Sequence, residues 1–507
     1  MEIGAGRLLW ECLVALAVIV PTLIVGAISV LVLYLVYQHR RFANIPSPPR
    51  KDFFTGHARL VMETINKGSS FSDFVVEQMR IYGSIFHLFM FTKPSIICLD
   101  PSCTKQILHS TTHFKPPAEV QFFWNVYGQR YLHHGLLTES NVTKHMKRRA
   151  LFDPAFHRKY LKNLISSFNK SANVLIDKLA KVADGKTEVL MLDEFNKFTL
   201  DVLAKVAFGL DLLEDKGFNK AICKSLVGVE ICFYKPWIQW SPLASDRKFR
   251  QECRESVRLI RETGRQCVQD RIDAKKRGEP IPNDILTYIL QQSDDLQGDE
   301  DFNMENMLDE FCTFFIAGQE TTANLMAFML VELGHHPDVM HRLQTEAKAV
   351  LGDSDYVKFE DLGKLEYMML VIKETLRLWP PVIGTSRQLA HEETLLGYKI
   401  PAGTPVWLNT YTMGRNEKYF PDHLDFNPDR FIDTGEDRHL FTHFPFSMGI
   451  RSCIGQQFAL IEARLIMSRL LQTFNFRLVP GQPRGDVLQE ILIKPKGRCK
   501  NYITLAE

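Results

Sequence analysis

The sequence predicts a mainly α-helical fold with a small β-rich portion, set behind one N-terminal transmembrane helix. Three observations predict it. Cys12 to Tyr37 carry no charge and are dominated by Val, Leu, Ile and Ala. Met304 to Leu333 reads as one long helix, followed after the Gly334-His-His-Pro337 break by Asp338 to Leu351 and Phe359 to Trp379. Short runs rich in β-branched and aromatic residues, Ile85 to Phe91, Ser95 to Leu99 and Pro405 to Asn409, read as strands of a small sheet. A last amphipathic helix is expected from Gln456 to Phe474, and no internal repeat divides the chain.

The apolar run is long enough to cross a hydrocarbon core of ~30 Å. A cleaved leader has a shorter apolar stretch and a positive start, whereas Glu2 and Glu11 here surround a single Arg7. Arg40, Arg41, Arg50 and Lys51 follow the run, which places the rest of the chain in the cytosol by the positive-inside tendency. Ile45-Pro-Ser-Pro-Pro49 cannot continue a helix and is either a stiff spacer or a plain linker. The expected organisation is therefore an anchor, 1–44, and one catalytic unit, 45–507, large enough to bury a core around a cofactor.

With 61 Lys+Arg against 59 Asp+Glu there is no basic excess of the kind nucleic-acid binding draws on. The ten cysteines are scattered without a C-x-x-C pair, which argues against a zinc or dithiol site and suits a reducing compartment. Two glycosylation-type triplets begin at Asn141 and Asn169, and a cytosolic chain leaves both unused.

The chemistry concentrates in Phe446-Ser-Met-Gly449-Ile-Arg451-Ser-Cys453-Ile-Gly455. A cysteine just before a helix N-terminus meets the positive end of the macrodipole, which favours the thiolate that iron requires. Gly449 and Gly455 permit a tight turn and close approach of the backbone to a flat macrocycle. Arg451 supplies a permanent cation for a carboxylate at the macrocycle's edge. A lone cysteine is more often a small buried hydrophobe, but not inside a loop of this composition.

The loop fills every specified position of F-x-x-G-x-R-x-C-x-G, and on it the chain resembles the cytochrome P450 superfamily. That resemblance implies the cytochrome P450 fold, heme b held by Cys453, and electrons drawn from NADPH through a diflavin reductase. Glu374-Thr-Leu-Arg377 is similar to the family's E-x-x-R helix, with Arg430 in the position of the third charge, a structural trio. Ala317-Gly318-Gln319-Glu320-Thr321-Thr322 resembles the family's oxygen-activating segment. There Gly318 is expected to admit a bulky group. Thr321 can return its hydroxyl to the Ala317 carbonyl and open the helix. Glu320 and Thr321 then form the acid and alcohol that pass protons. A second membrane span is the competing reading of this helix, made expensive by Asp309, Glu310, Gln319 and Glu320.

One departure stands out. The family's W-x-x-x-R pair on an early helix, both residues reaching heme propionates, aligns through Pro154 and Phe156 onto His145 and Arg149. Imidazole keeps a hydrogen bond but loses the indole's packing area, so weaker heme retention is expected. Arg387 is a further propionate candidate by family position. Lys144, Lys147, Arg148, Arg158 and Lys159 cluster where the family docks an acidic reductase, although charge runs are usually only solvated faces.

Longer segments, including Phe314 to Asn324 and Phe441 to Gln457, are similar to the cholesterol 24-hydroxylase branch of the superfamily. This implies oxidation of a sterol side chain in the endoplasmic reticulum membrane. Phe122, Phe123, Trp124, Val382 and Ile383 fall in pocket-lining positions, and Trp237 and Trp240 in the access-channel segment; aromatics are more commonly just core. A fatty acid or other lipid is the alternative substrate. A reductase-independent heme-thiolate isomerase or dehydratase, or a non-catalytic sensor or carrier, would have no use for Glu320 and Thr321.

Overall fold

The computed structural model describes residues 2–212, 216–292, 303–432 and 440–506, and the side chains of Glu2, Arg7 and Glu11 lie outside the described residues. The first helix, Glu2–Arg41, closes on His39, Arg40 and Arg41. Its apolar part, Leu13–Arg41, is 29 residues long and exposed up to its last turns. At 1.5 Å per residue that is about 44 Å, enough to cross a bilayer core. The last turns dock on the catalytic unit: Leu35 and Phe42 are buried, and the His39 ring meets Phe89 edge-on at 4.7 Å. The proline segment is bound down as well. Pro46 O accepts from His87 N at 2.9 Å, and Pro48 O lies 2.8 Å from His57 Nε2. It is thus fixed to the sheet rather than a free linker.

The second long apolar helix, Met304–His335, is buried over most of its length and is the central beam of the core. Phe208 of the helix Met191–Phe208 meets Phe311 at a tilt at 4.5 Å and stacks on Phe315 at 5.1 Å, and Trp379 stacks on Phe328 at 5.5 Å. Each such ring contributes roughly 1.5–3 kcal/mol by burial. Asp309, on the same helix, is fully buried because Arg130 and Arg261 pair with it at 2.7 and 2.8 Å.

The helix expected from Phe359 begins instead at Glu366 and runs to Leu378. Asp361–Gly363 forms a separate 3-10 turn, and Glu346 from the preceding helix accepts from Tyr367 N and Met368 N at 2.6 and 2.9 Å. That carboxylate satisfies orphan donors and marks the true start.

All three expected strands share one four-stranded sheet, in the order Ile85–Met90, Lys93–Cys98, Pro405–Asn409, Gly384–Gln388. The fourth strand was hidden by its polar composition. Near the C-terminus the strands Val487–Gln489 and Ile493–Pro495 form a hairpin that returns to the central helix. Asn169 is buried, bonded to Val357 N at 2.8 Å and Val357 O at 3.0 Å, so the folded chain cannot present it for glycosylation.

Candidate active site

The cysteine loop is held by its own backbone. Ser447 takes φ 57°, Gly449 takes φ 71°, and Cys453 N donates to Phe446 O at 2.8 Å. A Cβ on Gly449 would sit 2.0 Å from Leu108 O, so this glycine is required by the neighbouring helix end as well as by its φ. Gly455 has an ordinary φ of −82°. A Cβ there would lie 3.9 Å from Cys453 Sγ, so the expected need for glycine's turn freedom falls on Gly449 alone. Gln456–Thr473 follows as a helix, one residue short of the expected end.

Cys453 and Cys223 are the exposed members of the nine described cysteines. The Cys453 sulfur is accessible yet set deep among protein atoms. Burial raises its pKa, while the Gly455 N–H, Arg149 and Lys115 pull it down. The helix end alone therefore does not hold a thiolate; a metal cation at sulfur would complete the balance.

Beside this loop five basic side chains converge. Arg451 Nη1 donates to Glu139 O at 2.6 Å, but its buried Nε has no partner. Arg387 Nη1 donates to Thr385 Oγ1 and Ser386 O at 2.9 and 2.7 Å, and its buried Nη2 has none. His145 is buried with Nδ1 unpartnered. Its pKa is pushed down to about 2, first by burial and then by Arg451, Lys115, Arg149 and Arg387, so the ring is neutral. Lys115 donates to Leu137 O at 2.9 Å and is lowered to about 7, by burial and then by Arg387 and Arg451. Unpartnered buried donors cost roughly 1–3 kcal/mol each. Their meeting here, next to an accessible cysteine sulfur, fits a flat cofactor with carboxylates on its edge. Arg149 also holds the cysteine loop: Nη1 donates to Ser452 O at 2.5 Å and Nη2 pairs with Asp153 at 3.3 Å. Lys115 was missed from sequence, where one lysine in a loop carries no pattern.

On the central helix, Thr321 Oγ1 donates to Ala317 O at 2.6 Å, the bond expected. Ala317 is exposed, and Gly318, Glu320 and Thr321 are half-buried, within a helix otherwise buried on both sides of them. This turn therefore carries accessible surface in the middle of a core helix. Gly318 admits the Leu203 side chain: a Cβ would lie 3.0 Å from Leu203 Cδ2, so the glycine serves close packing with Met191–Phe208. Glu320 lies 3.5 Å from Lys494 Nζ, and burial raises its pKa against the pull of that lysine.

Glu374, Arg377 and Arg430 come together as expected. Arg377 bonds Glu374 through Nε and Nη2, both at 2.7 Å, and Arg430 Nε adds a third bond at 2.9 Å.

The pocket candidates divide. Phe122 packs edge-on against Phe233 at 5.4 Å, Phe123 is packed against the core, Trp124 leans on His134 at 5.2 Å, Ile383 is buried and Val382 is exposed. Trp237 and Trp240 are 61% and 77% exposed. Of the basic cluster, Lys144, Lys147, Arg158 and Lys159 are exposed. Arg148 turns inward, its side chain 9% exposed and 3.6 Å from buried Glu310, so it is not part of that surface. His113, His391 and Glu393 also bring ligating atoms together. Ala390 N donates to His113 Nδ1 at 3.3 Å, so that nitrogen is taken, and His113 Nε2 lies 3.2 Å from a Glu393 oxygen as an ion-pair contact.

Residues 46–499 match the family model described as Cytochrome P450. Among curated proteins, Cytochrome P450 4d2 of Drosophila melanogaster is 28% identical over 491 residues, covering 92% of this chain and 96% of its own length. Secologanin synthase 1 of Catharanthus roseus is 31% identical, covering 83% of each chain. The 11-oxo-beta-amyrin 30-oxidase of Glycyrrhiza uralensis is 30% identical, covering 79% of this chain and 76% of its own. A solved cytochrome P450DA heme domain shares the fold with a TM-score of 0.79 at 23% identity, covering 91% of this chain and 97% of its own.

Proposed function

The chain belongs to the cytochrome P450 family and is a monooxygenase, and we propose that it hydroxylates a sterol side chain, using dioxygen and electrons from NADPH delivered by a diflavin reductase. Heme b, when bound, would supply the redox chemistry, the reduction of dioxygen. Cys453 is the iron ligand. Lys115, His145, Arg387 and Arg451 hold the propionates, and Arg149 steadies the ligand loop. Phe446 and Gly449 shape that loop, and Gly455 leaves room beside the sulfur.

The carrying observation is the Thr321 hydroxyl bonded to Ala317 O on an open turn of a buried helix. Thr321 holds a proton at Oγ1 beside that opening, and Glu320, one residue earlier, is the acid that restores it. A carrier or a reductase-independent isomerase needs neither group. The sterol reading draws on the segment likeness noted above and on a relative whose name gives oxidation of 11-oxo-beta-amyrin. Phe122, Trp124, Val382 and Ile383 are the proposed pocket residues. The apolar first helix and the exposed Trp237, Trp240 and Leu243 support attachment to a membrane, proposed as the endoplasmic reticulum with the catalytic unit in the cytosol.

The test is a reduced, CO-bound spectrum of the full chain, followed by titration with cholesterol and with palmitate. A thiolate-type band that Cys453→Ser abolishes is expected, with a spin-state shift on cholesterol. A band that survives Cys453→Ser removes the ligand assignment. A shift with palmitate alone replaces the sterol by a fatty acid, and product formed without NADPH replaces the monooxygenase by an isomerase.

A further inference from the structure

Glu320 does not stand alone. Lys494, on the hairpin strand Ile493–Pro495, lies 3.5 Å from Glu320 and also pairs with Glu490 in the hairpin's turn. Both contacts use the single ammonium Nζ, so one cation is shared between carboxylates on two different elements. Glu230, on the helix Lys216–Tyr234, lies within electrostatic reach of the same lysine and of both other acids. Glu230, Glu320, Glu490 and Lys494 are all half-buried. Three carboxylates around one ammonium cannot all be compensated, and at least one is driven to carry a proton. Burial, Glu490 and Glu320 push Glu230 up to about 7 against the pull of Lys494. Nothing in the redox chemistry requires the hairpin to place this set against the oxygen-side turn.

We infer that Lys494 and Glu490 form a charge gate which sets how readily Glu320 gives up and regains its proton. With Lys494 on Glu320 the carboxylate is held ionised and turned toward the hairpin. With Lys494 drawn to Glu490, Glu320 takes a proton from solvent through Glu230 or Glu490 and passes one to Thr321. One proton enters for each that leaves, and no electron moves in the step. Lys494 and Glu490 act through Glu320 and are positioning residues. The inference rests on the proton role proposed for Glu320.

The two hairpin residues bias Glu320 in opposite senses, since Lys494 lowers its pKa and Glu490 raises it. The groups facing Glu320 are Lys494 and Glu490 of the hairpin and Glu230 and Cys223 of the helix Lys216–Tyr234. The experiment is the pH profile of NADPH-dependent turnover by the full chain with reductase, on cholesterol, or on palmitate should cholesterol give no spin shift. The basic limb reports the acid that supplies protons. Lys494→Met is expected to move that limb up and Glu490→Gln to move it down, each by about one pH unit or less. Lys494→Arg should restore the parent profile, and melting should change by no more than about 2 °C because the groups are half-buried. Limbs that move together, or not at all, overturn the gate if Glu320→Gln abolishes the limb. If Glu320→Gln leaves the limb in place, the proton role of Glu320 fails, and the gate falls with it.

Discussion

Two clusters of buried charge sit on this core, and they are built in opposite ways. Around Glu374 every polar atom is spoken for. Arg377 uses all five N–H groups: two on Glu374, and the others on the carbonyls of Gly414, His423 and Asp425 at 2.6, 2.7 and 2.9 Å. Glu374 in turn accepts from Arg430 and from Asn427 N, both at 2.9 Å. Around Cys453 the cations of Arg387 and Arg451 and the ring of His145 keep donors in reserve. A closed set supports the fold, whereas an open one awaits a ligand. The degree of satisfaction, more than the number of charges, separates scaffold from site.

The closed cluster should respond most to a single cut. Arg377→Met leaves Glu374 buried with its main partner gone, which costs about 3–5 kcal/mol. Denaturant melts should show that loss, and heme incorporation on expression should drop with it. A melt within 1 kcal/mol of the parent would mean the trio is dispensable and the contrast between the clusters is wrong.

The open cluster should respond less and in the other direction. His145→Trp brings the family's usual residue to the propionate edge, and the added ring contact is worth roughly 1 kcal/mol. Transfer of heme to an excess of apomyoglobin should slow about fivefold. A transfer rate that is unchanged or faster would remove His145 as a point of weakness.

The contrast also explains what could be read beforehand. Cys453, the Glu374 and Arg377 pair and the Thr321 to Ala317 bond were legible because each depends on short sequence spacing, whereas Arg430, 56 positions from Glu374, was placed by family position alone. Arg148 was misjudged because neighbouring basic residues look alike in a string; helix phase turns Lys147 outward and Arg148 toward Glu310. The group that Gly318 admits could not be named beforehand because it is Leu203, more than a hundred positions away. Lys115, Lys494 and Glu490 were invisible for the same reason. The strand Gly384–Gln388 lacks the apolar alternation that marks a strand, and its pairing with Pro405–Asn409 supplies what its composition does not.

Glu310 lies between the two extremes and gives the finest test of the satisfaction argument. It is 2% exposed and accepts from Leu136 N at 2.9 and 3.0 Å, but Arg148 stands off at 3.6 Å. Burial pushes its pKa up to about 7; Arg148 and the Leu136 N–H lower it and Asp309 raises it, without reversing the shift. A carboxyl raised in the folded state binds more protons there than in the unfolded chain. Its stabilising contribution is therefore complete below the ordinary carboxylate range and is lost as pH rises through about 7. Glu310→Gln keeps the shape and removes the titration. The melting temperature of the parent should fall by a few degrees relative to Glu310→Gln between about pH 5 and pH 8. Parallel curves for the two proteins would show that the Arg148 contact closes fully in solution, and Glu310 would then belong with the scaffold charges rather than between the two sets.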